Sequence, residues 1–395
     1  MQSVLILGRQ PALGLAELES LYGAAVVQPF GPGAAGLDLH AHDVDFARLG
    51  GSTRLAHVLA ELPAGDWKAI EKRLPELVLE LALTLPDGKI QLGLSAYGLH
   101  VSPAKLNAAA LTLKKTLRSR LDRSVRVIPN PETELGTAQV LHNHLTGPTG
   151  IELLVITHGQ RTVIARTTKV QDITSYTLRD RGRPKRDARV GMLPPKLAQI
   201  IINLASGQAP PAPGTIVLDP FCGTGVVLQE AMLMGFSAYG TDLEPRMIEY
   251  SRANLAWLRE TIGIGTTSGR LEPGDATNYH WDDIFAVVAA ETYLGRPFTA
   301  KPAPEVLAQT ASEVNLILKK FLGNIHGQLA PGARLCLAVP AWQISPGNFK
   351  HLPLIDGLGQ LGYNLVRFEH IRDGQLLYYR EDQIVARELL VITRK

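Results

Sequence analysis

The sequence predicts an α/β protein of more than one domain. Three observations carry that expectation. Helical and strand periodicities alternate along the whole chain. From about residue 195 the pattern becomes strand–helix–strand, as in a doubly wound parallel sheet. A chain of 395 residues, 45% hydrophobic, is also long enough for two or three separate cores.

The elements follow in order. Residues 3–7 are a short apolar run ending at Gly8 and read as a strand, and 14–22 sets Leu15, Leu18 and Leu21 at helical spacing. Residues 24–28 and 36–42 read as strands split by a Gly/Pro-rich turn, and 46–62 reads as mostly helix. A helix at 67–85 is expected to break near Pro75. Residues 89–95 alternate like a strand. At 102–121, Ser102-Pro103 opens a helix with proline at its first position. A strand at 125–128, a helix at 135–145 and a hairpin of 151–157 with 162–168 complete this half. A basic connector (176–189), a helix (195–204) and a proline-rich stretch (208–213) come next. Strands at 216–219, 238–242, 285–290 and 334–339 then alternate with helices at 226–234, 246–258 and 305–322. A strand at 363–368 and a hairpin of 374–379 with 386–393 end the chain.

Composition excludes several classes. Two cysteines, Cys222 and Cys336, build neither a disulfide framework nor a four-cysteine zinc site, which fits a reducing, cytoplasmic setting. The longest apolar stretch, 74–85, contains Pro75, Glu76 and Glu80 and is too short to span a bilayer, so no membrane association is expected. The N-terminus lacks the charged start of a signal peptide. His142 and His144, two apart on a helix, point to different sides, and no metal site is expected. Cys222 has no base near it in sequence and reads as a small packing residue.

The net charge of +3 is uneven. Residues 101–200 hold 17 Lys/Arg against 7 Asp/Glu, a local +10, between flanks of −4 (7 against 11) and −3 (16 against 19). One cluster is Lys114, Lys115, Arg118, Arg120, Arg123 and Arg126. Another is Arg179, Arg181, Arg183, Lys185, Arg186 and Arg189. Both suit a polyanion, and both also read as solvated helix and linker surface.

The most informative stretch is Asp219-Pro220-Phe221-Cys222-Gly223-Thr224-Gly225, at the end of one strand and the start of a helix. Glycines there let the backbone approach a ligand. No third glycine makes it a dinucleotide fingerprint, and no Gly-Lys-Ser/Thr makes it a P-loop. An acidic residue two places before an aromatic, then Gly-x-Gly, resembles motif I of Rossmann-like S-adenosylmethionine-dependent methyltransferases. That resemblance implies that Asp219, Phe221, Gly223, Thr224 and Gly225 face the cationic methionine end. Asp242 and Leu243 would face the ribose side, and Asp275 and Ala276 the adenine. Singly, each aspartate also reads as a cap, strand end or turn residue.

Preceded by Gly191-Met192-Leu193-Pro194-Pro195-Lys196-Leu197-Ala198, the motif resembles the THUMP-domain-containing tRNA guanine-N2 methyltransferases, the archaeal and eukaryotic type acting on position ten. The opening Leu5-Ile6-Leu7-Gly8-Arg9 and the terminal Val385-Ala386-Arg387-Glu388-Leu389-Leu390-Val391 also look like that family. The resemblance implies a ferredoxin-like domain (1–64), a THUMP-like RNA-binding domain (65–172) and a basic connector (173–194). A Rossmann-like class I methyltransferase domain (195–395) with a mostly parallel seven-stranded sheet would follow. It also implies a tRNA substrate, and beside it the basic clusters are expected to hold that RNA through Lys114, Lys115, Arg118, Arg120, Arg123, Arg179, Arg183, Lys185 and Arg186. A protein partner subunit is left open.

One departure stands out. The family follows its fourth strand with an acidic or amide residue, two prolines and an aromatic. This chain has Glu291-Thr292-Tyr293-Leu294. Glu291 falls on the acidic position, and Thr292 and Tyr293 replace the prolines. Glu291, Thr292 and Tyr293 are therefore the expected base-holding residues, in an altered pocket. The alternatives are a DNA amino-methyltransferase and a non-catalytic RNA-binding protein that keeps the cofactor fold.

Overall fold

The computed structural model describes residues 1–63, 66–187, 192–208, 212, 214–264, 267–298 and 300–395. Arg189 and Gly191, the 64/65 boundary and most of the proline-rich 208–213 stretch lie outside the described residues. Two compact units divide the chain. The first holds Met1–Pro11, Ala25–Ala47 and Ser52–Ile173; the second holds Ala12–Ala24, Arg48–Gly51 and Thr174–Lys395.

The first unit is built on one eight-stranded sheet. Its strands are β1 (Ser3–Leu7), β2 (Val27–Pro29), β3 (Ala34–Leu37), β4 (Ser52–Pro63), β5 (Ile90–Tyr97), β6 (Val125–Val127), β7 (Gly150–His158) and β8 (Arg161–Val170). They lie in the order β2-β3-β1-β4-β8-β7-β5-β6. The antiparallel β4–β8 pairing, from Arg54 opposite Val170 to Pro63 opposite Arg161, joins strands from before and after residue 64. Between β1 and β2 the chain forms α1 (Pro11–Tyr22), most of which belongs to the second unit. Helices α2 (Trp67–Leu83) and α3 (Pro103–Leu121) bury Ile70, Leu74, Leu106 and Leu117 with Leu92, Leu94 and Leu153 of the sheet. Ser102 caps α3 by accepting the Lys105 amide. A short α4 (Thr137–His142) precedes β7.

Three sequence expectations fail here. Residues 46–62 form a short helical turn (Phe46–Arg48) and then β4, not a helix. Gly50-Gly51 stops the turn, and the following segment is paired on both sides, with β1 and β8, so tertiary pairing overrides propensity. Helix α2 runs through Pro75 unbroken, held by its buried face of Ile70, Leu74, Leu77 and Val78. The helix expected at 135–145 shrinks to α4.

The second unit carries α5 (Ile173–Thr177), a π-helical turn (Leu178–Gly182), α6 (Pro195–Ser206), β9 (Ile216–Asp219), α7 (Val226–Leu233), β10 (Ser237–Asp242), α8 (Pro245–Thr261) and β11 (Gly269–Pro273). It continues with β12 (Phe285–Glu291), α9 (Pro304–His326), β13 (Leu329–Ser345), β14 (Asn348–Lys350), β15 (Tyr363–Leu365), β16 (Leu377–Tyr378) and β17 (Val385–Arg394). The sheet order is β11-β10-β9-β12-β13-β17-β15, with β14 on β13 and β16 on β17. The strands from β11 to β13 are parallel, and β17 inserts antiparallel beside β13. Both faces are covered. Val217, Val287 and Ala289 pack with Leu197 and Ile201 of α6, while Leu218 and Val288 pack with Leu318 and Phe321 of α9. Strands β11 and β14 have no counterpart among the elements expected from the sequence.

Buried Glu17 on α1 ties this unit together. Its Oε1 accepts the Gly50 amide at 2.9 Å and Asn203 Nδ2 at 2.7 Å, and its Oε2 accepts the Gly51 amide at 2.9 Å. Burial pushes its pKa up to about 7 against those hydrogen bonds. A Cβ on Gly51 would meet the Gly14 backbone at 2.6 Å, so only glycine allows this approach. Among the described residues no helix is long and apolar enough to cross a membrane.

Candidate active site

The carboxyl ends of β9, β10, β11 and β12 bring the predicted acidic residues to one edge of the sheet. Asp219 ends β9, Asp242 ends β10 and Glu291 ends β12, while Asp275 follows β11 by two residues. This is the crevice in which open parallel sheets hold ligands.

Asp219 is buried, and its Oδ1 accepts the Phe221 amide at 3.1 Å. Burial pushes its pKa well above the usual carboxylate range, and the like charges of Asp242 and Glu291 add to the rise. Asp242 accepts two backbone amides, Gly223 on Oδ2 at 2.8 Å and Glu244 on Oδ1 at 2.9 Å. Each oxygen keeps a lone pair free for a ligand hydroxyl. Burial raises this carboxyl too.

The Gly223–Gly225 turn is held from behind by α8. The Ser251 hydroxyl donates to the Gly223 carbonyl at 2.8 Å, and Asn254 Nδ2 donates to the Thr224 carbonyl at 2.8 Å. Gly225 sits at φ +80°, and a Cβ there would meet Ser251 Oγ at 2.8 Å. The turn thus leaves a side-chain-free cradle at the start of α7. The Phe221 ring stands edge-on to Phe321, 5.1 Å between centroids, as part of the core. Leu243 is 67% exposed beside Asp242.

Asp275 lies next to this site, because the Gly274 amide donates to the Asp242 carbonyl at 2.9 Å. Its Oδ1 is occupied by the Thr277 amide and hydroxyl, at 2.9 and 2.8 Å. Ala276 is buried, and its carbonyl accepts from Asn324.

At the end of β12, Glu291 Oε1 accepts from Arg387 Nε on β17. Thr292 is turned into the protein. Its amide and hydroxyl both donate to the Ala338 carbonyl, at 3.0 and 3.1 Å, so its side chain serves the turn. Tyr293 is 46% exposed. Sequence reasoning missed Ser251, Asn254 and Arg387. The first two were signalled by polar residues in the apolar helical series Met247, Ile248, Ser251, Asn254, Leu255. Arg387 was signalled by a charged pair inside the apolar run of β17.

The sheet order, with its antiparallel β17 inserted between β13 and β15, is that of class I methyltransferases. Two solved structures share this fold along nearly the whole chain. TrmN from Thermus thermophilus aligns over 100% of both chains at 18% identity with a TM-score of 0.50. A possible methylase from Clostridium difficile 630 aligns over 98% of this chain and 97% of that one at 13% identity, TM-score 0.53. A family model described as DNA methylase matches residues 169–253. The tRNA (guanine(10)-N2)-dimethyltransferase of Methanothermobacter thermautotrophicus is 33% identical over 151 residues. That alignment covers 38% of this chain and 39% of the relative, so the match spans about two fifths of the relative's length.

The basic residues fall into three groups. Lys115, Arg118 and Arg120 are exposed on α3, with Lys114 half-buried beside them. Lys114 and Arg118 line a groove of about 570 Å³ together with Lys89, Asn107, Ser124 and Arg126, and no described acidic residue lines it. Lys185 and Arg186 are exposed on the connector. The other three take structural positions. Arg123 donates to the carbonyls of Ala82, Pro86 and Gly88 and closes the end of α2. Arg179 is buried against Glu230 at 2.7 Å. Arg183 is 3% exposed, and its guanidinium has no hydrogen-bond partner among the described residues. The expected phosphate contacts of Arg179 and Arg183 are therefore corrected: burial removes both from the surface.

Proposed function

We propose that this chain is an S-adenosylmethionine-dependent RNA methyltransferase that transfers methyl to an exocyclic base amine, the N2 of a guanine in tRNA. The observation that carries the reading is the meeting of Asp219, Asp242 and Glu291 around the Gly223–Gly225 cradle. A buried carboxyl with one backbone donor and two anionic neighbours is short of positive charge, which fits a ligand bearing a sulfonium and an ammonium group. S-adenosylmethionine, when bound, supplies an electrophilic methyl. Asp219, Phe221, Gly223, Thr224 and Gly225 hold its methionine end, Asp242 and Leu243 its ribose, and Asp275 and Ala276 its adenine. Glu291 accepts an N–H of the target amine and fixes its lone pair in line, while Tyr293 offers a ring to the base. Thr292 shapes the turn between them.

Residues 1–64 are read as ferredoxin-like and 65–172 as THUMP-like, with the RNA-binding surface on the first unit. Lys114, Lys115, Arg118 and Arg120 contact phosphates, as do Lys185 and Arg186 of the connector (173–194). The reading places the protein in the cytoplasm and leaves a partner subunit open. The name of the archaeal relative supports tRNA as substrate. Incubation with bulk tRNA and labelled cofactor, followed by nucleoside mass spectrometry, tests the reading. Cofactor binding without label in any tRNA overturns it.

A DNA amino-methyltransferase is the second reading, favoured by the DNA-methylase family match over residues 169–253. Competition between duplex DNA and tRNA for binding separates the two.

A further inference from the structure

We propose that Arg387 is the positioning residue for Glu291, holding one carboxylate oxygen so that the other is aimed at the target amine. The inference rests on the amine-methyltransferase reading above. Arg387 is 8% exposed on β17, and its Nε donates to Glu291 Oε1. Oε2 has no hydrogen-bond partner among the described residues.

The register shows how the pair forms. Glu291 lies opposite Ala338 and Arg387 opposite Pro340, so the ion pair reaches across β13 over two neighbouring positions of one face. Neither Ala338 nor Pro340 carries a long side chain that would block it. Asp219 faces Glu291 from β9 as a like charge, and Arg387 faces it from β17 as the opposite one.

The chemistry explains the need. Glutamate has one more rotatable bond than aspartate, and neither of the two residues directly after Glu291 is a proline. A carboxylate on a longer arm has no fixed direction of its own. A guanidinium is a permanently charged donor, and its Nε–H holds one carboxylate oxygen while leaving the other free. Thr292 fixes the backbone of the turn through the Ala338 carbonyl, and Arg387 fixes the Glu291 side chain from β17.

The test compares Arg387→Met and Arg387→Lys in steady-state methyl transfer to tRNA, with cofactor affinity measured by calorimetry. Arg387→Met is expected to lower kcat by about 30- to 100-fold, while KM for tRNA and cofactor Kd change by less than about threefold. Arg387→Lys, which keeps the charge and one donor, is expected to recover about tenfold of that loss. In a Glu291→Gln background, Arg387→Met is expected to cost less than about threefold more, because the two act as one unit. An unchanged kcat, an equal loss in both backgrounds, or a parallel loss of cofactor binding overturns the assignment. A wild-type protein that methylates neither tRNA nor duplex DNA overturns the functional reading, and the role of Arg387 with it. An active wild type beside an unaffected Arg387→Met overturns the role alone.

Discussion

The amide of Gly223 donates to Asp242 Oδ2 at 2.8 Å, so the turn after the first strand of the doubly wound sheet is built on the carboxylate that ends the second. The Glu244 amide takes the other oxygen. Asp242→Asn leaves one acceptor where two amide donors converge and sets an NH₂ against an N–H. An unsatisfied donor of this kind costs about 1–3 kcal/mol. Thermal unfolding is expected to show that loss. Calorimetry is expected to show cofactor affinity lower by about tenfold or more, because the cradle and the proposed ribose acceptor fail together.

Asp219 leads to a prediction about protons. Burial, with Asp242 and Glu291 adding, pushes its pKa well above the usual range, so the free protein retains that proton to higher pH than an exposed aspartate does. A cation seated against Asp219 favours the ionised form. Binding S-adenosylmethionine should therefore release a proton, and affinity should rise with pH until the free carboxyl is itself ionised. Calorimetry in two buffers of different ionisation enthalpy measures the release. It is expected in the wild type and absent in Asp219→Asn; equal heats in both buffers for the wild type would count against it.

Much of this site was legible because its signals are local. Asp219, Gly223 and Gly225 sit within seven residues, and apolar strands announce where Asp242 and Glu291 must end. What stayed hidden depends on pairing between distant segments. Residues 46–62 read as mostly helix because a short apolar run fits either period, and only β1 and β8 decide the matter. The buried states of Arg179 and Arg183 were invisible for the same reason. A run of arginines looks solvated until Glu230, on a helix some fifty residues away, draws one of them inward. Arg387 meets Glu291 only through the insertion of β17 beside β13.

Glu17 makes the stability of the second unit depend on pH. Its pKa rises from 4.5 to about 7 on folding, chiefly through burial. A raised carboxyl pKa means the folded state binds the proton more tightly, so this contribution is complete below about 4.5 and is lost as pH rises through about 7. The full change is of order 3 kcal/mol. Chemical denaturation at several pH values between 5 and 8 should show wild-type stability falling relative to Glu17→Gln, which cannot ionise. Parallel curves would assign the pH dependence to other groups.

The groove beside α3 is the natural place to look for phosphate binding, and its lining separates arginines open to a ligand from those spent inside the protein. Arg118 and Arg126 line it, whereas Arg123, three residues before Arg126, spends its guanidinium on the carbonyls that end α2. Each phosphate left without its neutralising cation lowers the slope of log affinity against log salt by about 0.7–0.9. Arg118→Ala with Arg126→Ala should therefore reduce the slope for tRNA by roughly 1.5 and weaken binding most at low salt. Arg123→Ala should instead lower the unfolding temperature and leave the slope near that of wild type, since its donors are already used inside the protein. The buried Arg179 should behave like Arg123, and a slope that fell for Arg179→Ala but not for the groove pair would place the RNA on the connector instead.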